Sequence, residues 1–226
     1  MSANLMSLAR SGGKFLKLFG DRKMMRQLPY DAEVDYLEGT GTQYIDTYFK
    51  GSDVLDFEID ALVSSGGDRT FFGARYTWGG DHSRIYTLVA RSYGRFAFGL
   101  NGAWNKCPEL GIVEGNRFWA KKTGNTVIMS NGVSIEVNSE KFETPYEIEL
   151  FAMSTVTQRR HGQEPLIGRI YSVSFSTYGT NIGDFIPVRF TNELGETEGA
   201  MFDRVSGQLF RNAGTGEFIV GPDKTI

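Results

Sequence analysis

The 226-residue chain contains few of the residues that build disulfides and metal clusters: one cysteine, two histidines and only six prolines. The single Cys107 excludes an intramolecular disulfide framework and a cysteine-cluster zinc site. His82 and His161 leave little room for a histidine-based metal site. No apolar stretch approaches the roughly 18 residues of a membrane span, and a net charge of −3 gives no global attraction to nucleic acid. Composition therefore excludes a membrane-spanning protein, a zinc module and a disulfide scaffold.

Glycine and aromatic residues, in contrast, are abundant: 28 Gly, 17 Phe, 10 Tyr and 3 Trp. Many glycines and aromatics with few prolines are typical of short strands joined by tight turns. From residue 33 onward apolar and polar residues alternate, as in the segment from Leu55 to Ala61, which predicts half-buried strands. About a dozen such segments, with turn signals every 8–12 residues, predict an all-β antiparallel sandwich.

Two local signals make sharper predictions about these strands. Asn131-Gly132 separates two strand-like segments and predicts a hairpin with a type I′ turn, which has positive φ at both residues. Pro187 lies inside the predicted strand 184–190. Because proline cannot donate a ladder hydrogen bond, it predicts that this strand lies at a sheet edge or carries a bulge.

The N-terminal segment differs from the rest in charge and periodicity. Residues 1–30 carry a net charge of +5, and the remaining 196 residues carry −8. Phe15, Leu18 and Phe19 follow helical i, i+3, i+4 spacing, interrupted on either side by glycine. We therefore predict a short basic, partly helical arm over residues 1–32 and one β domain over residues 33–226.

Mixed apolar and basic character suits a segment that orders by docking on another protein subunit. A signal peptide, a membrane-surface helix, a nucleic-acid-binding arm and a frayed tail are the alternatives. The residues predicted to form the assembly arm are Leu5, Leu8, Lys14, Phe15, Leu16, Lys17, Phe19, Arg22, Lys23 and Arg26.

Two stretches carry a family resemblance. The first is YLEGTGTQYIDT, residues 36–47. The second begins with GRIY at residue 168, continues through DFIPVR at residue 184, and closes with MFDRVSGQLFRNAGTG, residues 201–216. Together they resemble the concanavalin A-like (laminin G-like) jelly-roll domains of phages and prophages of gut bacteria. Taken by themselves, the glycines of both stretches indicate tight turns.

The resemblance implies a jelly-roll of two curved antiparallel sheets, with the opening and closing segments as neighbours at one edge. It also implies a virion context, in a capsid decoration, tail or fibre protein. It implies no activity, because the fold hosts lectins, hydrolases and inert spacers alike. The basic arm lies outside the family pattern, which suggests that it serves as an anchor.

Acidic residues raise two further hypotheses. Asp56, Glu58 and Asp60 share one face of a predicted strand, and a retaining glycosidase needs two carboxyl groups about 5–5.5 Å apart. The same acids are expected on the solvated face of an amphipathic strand, which is the interpretation we prefer. No cofactor is expected. Calcium is considered only because Asp53, Asp68 and Asp81 fall in turn-like segments.

Aromatic residues in loops suggest carbohydrate binding. Trp78, Tyr93 and Trp104 fall in predicted loops, where an aromatic ring is available to stack on a sugar or to cover the end of the core. His161 lies in the segment 157–164, the most basic part of the body, which would suit an acidic partner but is expected to be solvated. Cys107 has no evident activating base, so it is expected to be structural.

The leading hypothesis is a non-enzymatic phage virion structural protein, anchored to other virion proteins by residues 1–30. It would be made in the bacterial host cytoplasm and assembled into the virion. The first alternative is a lectin-like adhesin that binds a host-surface glycan, and the second is a jelly-roll glycoside hydrolase. A homo-oligomer is left open, and neither a specific nucleic acid nor a membrane span is expected.

Overall fold

A computed structural model describes residues 28–65, 67–76, 84–91, 95–110, 113–155 and 160–225. The predicted arm residues, as well as Trp78, Asp81, His82 and Tyr93, lie outside these ranges. The described residues form nineteen strands and no helix. In chain order the strands are β1 (Ala32–Glu33), β2 (Leu37–Thr40), β3 (Ile45–Ser52), β4 (Leu55–Val63), β5 (Arg69–Arg75), β6 (Ile85–Arg91), β7 (Arg95–Leu100), β8 (Ala103–Leu110), β9 (Arg117–Thr123), β10 (Thr126–Met129), β11 (Ser134–Glu136), β12 (Glu143–Leu150), β13 (Met153–Thr155), β14 (Arg160–Gln163), β15 (Ile167–Thr177), β16 (Thr180–Thr191), β17 (Thr197–Asp203), β18 (Gln208–Phe210) and β19 (Ile219–Val220).

The strands form two sheets, which confirms the predicted all-β sandwich. Sheet 1 has the order β11-β10-β9-β4-β15-β16-β17-β18, with β1 beside β16, β2 beside β15 and β19 beside β2. Sheet 2 contains the run β14-β13-β5-β6-β7-β8, with β12 joining β5 to β3. All strand pairs are antiparallel except β13 with β5, so the prediction of an antiparallel sandwich holds apart from this one pair.

The core lies between the sheets and is dominated by aromatic rings. The Phe57 ring of sheet 1 contacts the Phe72 and Phe98 rings of sheet 2, with centroids 4.9 Å and 5.4 Å apart. Phe175 packs against Phe72 from the neighbouring strand at 5.5 Å. Such edge-to-face and tilted pairs add to the hydrophobic stabilisation from burial. Alternation along the strands therefore places these Phe residues in one shared layer.

The hairpin at Asn131-Gly132 is confirmed, but its predicted type I′ turn is wrong. Strands β10 and β11 pair across it, yet only Gly132 has positive φ, at 84°. The Gly132 N–H donates to the carbonyl of Met129, and the Met129 N–H donates to the carbonyl of Val133. A three-residue loop with a left-handed glycine therefore closes the hairpin, and Asn131 instead accepts the Val133 N–H through Oδ1 at 3.1 Å.

The prediction that the Pro187 strand lies at an edge or carries a bulge there is wrong as well. Strand β16 is interior, because it pairs with β17 on one side and with β15 and then β1 on the other. Pro187 falls between the last β15 partner and the first β1 partner, and its carbonyl accepts the Val34 N–H at 3.0 Å. Its nitrogen points to this same side, so the missing donor costs no hydrogen bond with β17.

The opening and closing segments lie side by side, as the resemblance implies. Gln43 Oε1 accepts the Thr40 N–H at 2.8 Å, and its Nε2 donates to the carbonyl of Glu217 at 3.0 Å. Asn212 Oδ1 accepts the Tyr44 N–H at 3.3 Å. The Thr42 hydroxyl donates to the carbonyl of Thr215 at 2.7 Å. The polar residues of these stretches therefore fasten the two ends of the sandwich, which accounts for them without a ligand.

A second, smaller apolar cluster lies on the opposite face of β16 and β17. Ile186, Val188 and Phe190 alternate with core residues such as Phe185, so they face away from the main core. The Tyr30 ring packs edge-on against the Phe202 ring at 4.9 Å. The first described residues of the chain are thus packed onto sheet 1.

Candidate functional site

The three acids of β4 lie on the outer face of sheet 1, and each forms an ion pair with a basic residue of β9. Asp60 accepts two hydrogen bonds of 2.7 Å from the Arg117 guanidinium. Lys121 lies 3.0 Å from Glu58, and Lys122 lies 3.0 Å from Asp56. Alternation correctly predicted this face. The basic partners on β9 leave no pair of free carboxyl groups among these acids, which argues against the glycosidase hypothesis for them.

The same outer face carries a ladder of stacked cations and rings that the sequence analysis missed. Arg117 lies over the Tyr171 ring at 3.8 Å, and Arg169 lies over the Tyr36 ring at 4.1 Å. The two tyrosine rings meet edge-on at 5.6 Å. Arginine over tyrosine is a favourable cation–π arrangement. The ladder connects β9 and β15 with Tyr36, the residue that precedes β2, across the surface.

Two of the acids considered for calcium, Asp53 and Asp68, are each engaged by another part of the protein. Asp53 Oδ1 accepts the Phe142 N–H at 3.1 Å, and Asp68 pairs with Arg91. Asp81 lies outside the described residues. Each described acid therefore has its own protein partner.

One polar cluster does stand out, at the side of sheet 2 formed by β3, β12 and β14. Asp46, Glu149 and His161 place one donor atom each within 4.8 Å of the others, and this is the single such group of three within the described ranges. His161 Nδ1 lies 2.6 Å from Glu149 Oε1 and 3.6 Å from Asp46 Oδ1. We call these three residues the β3–β12–β14 cluster. The histidine expected to be solvated, or to meet an acidic partner, instead meets two carboxylates of its own chain.

Strand register and a left-handed turn assemble the cluster. Asp46 and Glu149 are direct partners across β3 and β12, so their side chains share one face. His161 arrives on β14, which folds back on β13. Gly162 has φ of 67°, and its N–H donates to Glu149 Oε2 at 2.9 Å. A Cβ at Gly162 would lie 3.1 Å from the Tyr44 ring. This position therefore favours glycine for two reasons: its φ is positive, and a side chain would crowd the Tyr44 ring.

Burial divides the cluster into an inner and an outer part. The Glu149 side chain is 1% exposed, whereas those of Asp46 and His161 are each 53% exposed. The Tyr44 ring stacks on the imidazole at 5.9 Å with an interplanar angle of 8°. The Glu149 carboxylate therefore lies in the protein interior, whereas the Asp46 carboxylate and the His161 imidazole border solvent.

The electrostatics of the cluster follow from that burial. Burial raises the pKa of Glu149 to about 7, although hydrogen bonds from the Gly162 N–H and His161 oppose the rise. Burial also raises the pKa of Asp46, and His161 opposes it. The pKa of the Tyr44 phenol is raised by burial first and then by both carboxylates. The carboxylates of Asp46 and Glu149 thus lie close together in a partly desolvated environment.

A row of register partners across sheet 2 connects the β3–β12–β14 cluster with Trp104, one of the predicted glycan-binding residues. Across sheet 2, successive register partners of Glu149 are Gly73 on β5, Thr87 on β6, Gly99 on β7 and Trp104 on β8. Trp104 therefore lies on a strand rather than in a loop, contrary to the sequence-based expectation. Trp78 and Tyr93, its proposed companions, lie outside the described residues.

Opposite charges also meet elsewhere on sheet 2. Glu164 lies 3.7 Å from Arg75 and 3.8 Å from Arg91, and Arg91 in turn pairs with Asp68. Burial lowers the pKa of Arg75, and the Glu164 carboxylate opposes that shift. These groups compensate one another and form a structural ion-pair network.

The fold and the site define an all-β sandwich with a histidine–carboxylate cluster at the side of one sheet. No model of a known protein family matches the chain, and no curated protein matches it. The concanavalin A-like resemblance therefore remains a prediction from the sequence. In the part of the chain that the structure describes, no helix has the length and apolar character needed to cross a membrane.

Proposed function

We propose that the chain is a non-enzymatic structural protein of a phage particle, in which residues 1–30 attach a jelly-roll β-sandwich to neighbouring subunits. The observation that carries this proposal is how the chain enters the sandwich. The Asp31 N–H donates to the carbonyl of Arg189 at 2.8 Å, and β1 then pairs with β16. A force that acts on residues 1–30 would therefore be borne by the hydrogen bonds between β1 and β16 in sheet 1.

The charge and the apolar residues of the arm indicate what kind of partner surface it would bind. The arm carries +5 against −8 for the remaining residues, so an acidic groove on another virion protein would attract it. Docking would bury Phe15, Leu16 and Phe19, while Lys14 and Lys17 would meet acidic groups at the rim. The sandwich itself would stay outside, as a decoration or fibre-like module assembled after synthesis in the host cytoplasm.

Substitution in the arm tests the anchoring role. We expect Leu16→Asp with Phe19→Asp in the full chain to reduce incorporation into phage particles at least tenfold, because two charges would replace buried apolar contacts. The measurement is quantitative mass spectrometry of purified particles. Leu194→Asp is the matched control, because Leu194 is an exposed leucine of the sandwich. Equal incorporation of all three proteins, or absence of the wild type from particles, would contradict the proposal.

A lectin-like adhesin is the second candidate, and the position of Trp104 favours it. Trp104 ends a register row of small residues that runs across sheet 2 to the β3–β12–β14 cluster. An aromatic ring that can stack on a sugar ring is what this candidate requires of Trp104.

Trp104→Ala tests that candidate against a tryptophan on the other sheet. We expect this change to weaken binding to a host-surface glycan at least tenfold, and we expect Trp119→Ala on the exposed face of sheet 1 to leave it unchanged. The measurement is a glycan array followed by calorimetric titration. No binding at millimolar sugar, or equal losses in both variants, would exclude a lectin role for Trp104.

A further inference from the structure

We propose that Asp46, Glu149 and His161 form a binding site for a divalent first-row transition metal ion, with Zn²⁺ as the preferred ion. The site is independent of the arm, and it shares only Glu149 with the register row that ends at Trp104. Its three donors come from three strands, and Asp46 on β3 is more than 100 residues from the other two in the sequence. The proposal depends on donor geometry, on the fixed orientation of two donors, and on donor chemistry.

The three donor atoms lie within 4.8 Å of one another, and the two separations that involve His161 are close to those around one shared ion. A metal bound at about 2.1 Å from nitrogen and oxygen ligands separates neighbouring donors by roughly 3.0–3.4 Å. The separation of His161 Nδ1 from Asp46 Oδ1 is 3.6 Å, and its separation from Glu149 Oε1 is 2.6 Å. Shifts of less than about 1 Å in two exposed side chains, within ordinary rotamer freedom, bring these pairs to the required spacing.

Two of the donors are already oriented by the surrounding structure. The Gly162 N–H occupies Glu149 Oε2 at 2.9 Å, which leaves Oε1 directed at the imidazole. The Tyr44 ring lies parallel to the His161 ring and fixes its plane. Metal sites depend on such outer contacts to hold their ligands. The buried carboxylate therefore has one oxygen engaged by the backbone, and the other is directed at His161 Nδ1, the neighbouring donor of the proposed site.

The donor types decide which ion fits. One imidazole nitrogen and two carboxylates suit Zn²⁺ and Mn²⁺, whereas Ca²⁺ and Mg²⁺ prefer oxygen ligands throughout. The two carboxylates balance the charge of a divalent ion. Because Asp46 and His161 border solvent, the remaining coordination positions would be filled by water or by a donor from a partner. Bound metal would fasten β14 to β3 and β12.

Calorimetric titration of the full chain with ZnCl₂ tests the proposal, with the thermal midpoint Tm measured alongside. We expect 1:1 binding that raises Tm, and at least tenfold weaker binding for Asp46→Asn and for His161→Gln. Both residues are half exposed, so these variants are expected to fold. Ca²⁺ at the same concentration should give no Tm shift.

Two control variants separate this site from adventitious binding. His82→Gln removes the only other histidine in the sequence, and Glu143→Gln removes an exposed acid of the same strand β12 that pairs with Lys50. We expect both to bind Zn²⁺ as the wild type does. Cobalt substitution gives a direct reading, because visible bands in the wild type should be lost in His161→Gln. Absence of Zn²⁺ binding, or binding unchanged in Asp46→Asn and His161→Gln, would overturn the proposal.

Discussion

Replacing Asp203 with alanine is expected to lower the free energy of unfolding by about 4 kcal/mol, because three backbone donors lose a buried carboxylate acceptor. Asp203 is fully buried at the end of β17. It accepts the N–H groups of Asp184 at 2.8 Å, Val205 at 3.1 Å and Ser206 at 3.1 Å. The Tyr48 hydroxyl donates to it as well. One side chain therefore closes the β17–β18 turn and joins it to β16 and to sheet 2.

Chemical denaturation measures this effect, with Asp184→Ala as the matched control. Asp184 is an acid of the neighbouring strand β16 that pairs with Arg204, a half-exposed arginine. Its loss should cost less than about 1 kcal/mol, as for other surface ion pairs. Similar decreases in the free energy of unfolding for Asp203→Ala and Asp184→Ala would mean that the Asp203 hydrogen bonds stabilise the protein no more than a surface ion pair does.

The pH dependence of the Asp203 effect has a definite sign. Burial alone would raise the pKa of Asp203, but hydrogen bonds from Ser206, Tyr48 and two backbone N–H groups outweigh it and lower the pKa. The unfolded chain therefore takes up a proton near pH 4 while the folded chain is still ionised. The stabilisation is complete above that pH and is lost as the pH falls through the folded-state pKa. The stability gap between the wild type and Asp203→Asn should thus narrow below about pH 4.

The sandwich itself was predictable because it depends on alternation, which is a local property of the chain. The alternating segment from Leu55 to Ala61 lies within β4, and the acids of β4 lie on the predicted outer face. Alternation predicts which residues share a face, but it does not predict what covers that face. Thr87 and Val89 on the outer side of β6 are buried, and sequence pattern alone gives no sign of this.

The β3–β12–β14 cluster was not predictable for the same physical reason. Glu149 alternates with Ile148 and Leu150, which predicts an exposed acid, yet its side chain is buried beneath His161. The cluster depends on the register of β3 against β12, which joins residues 103 positions apart. Pro187 gives the same lesson, because its position beside β1 depends on a long-range pairing. The strands can be predicted from local alternation, whereas the β3–β12–β14 cluster depends on the register between strands that are distant in the sequence.

Lys122 gives the second large expected effect, because it is a lysine at a core-facing position of β9. Its side chain is 1% exposed. The ammonium donates to the carbonyl of Leu55 at 2.9 Å and to Asp56 Oδ1 at 3.0 Å. The same Leu55 carbonyl accepts the hydroxyl of the buried Tyr86 at 2.7 Å. The lysine therefore completes a buried polar network at the end of the aromatic core.

Lys122→Met is expected to lower the free energy of unfolding by about 3 kcal/mol, because it leaves the partly buried Asp56 carboxylate without its cation. Lys121→Met is the matched control on the same strand. The Lys121 side chain is 53% exposed and pairs with Glu58 at 3.0 Å, so its loss should cost less than about 1 kcal/mol. Urea denaturation of the two variants measures the difference.

A double substitution separates the two causes of the Lys122 effect. If the cost comes from the abandoned carboxylate, then Lys122→Met with Asp56→Asn should recover part of the loss, since the neutral amide is cheaper to desolvate and its oxygen can still accept the Gly124 N–H, as Asp56 does at 2.9 Å. If the cost comes from lost packing of the lysine chain, the two losses should add. Because methionine matches the aliphatic length of lysine, we expect partial recovery. Full additivity would show that the Lys122–Asp56 pair is not energetically coupled.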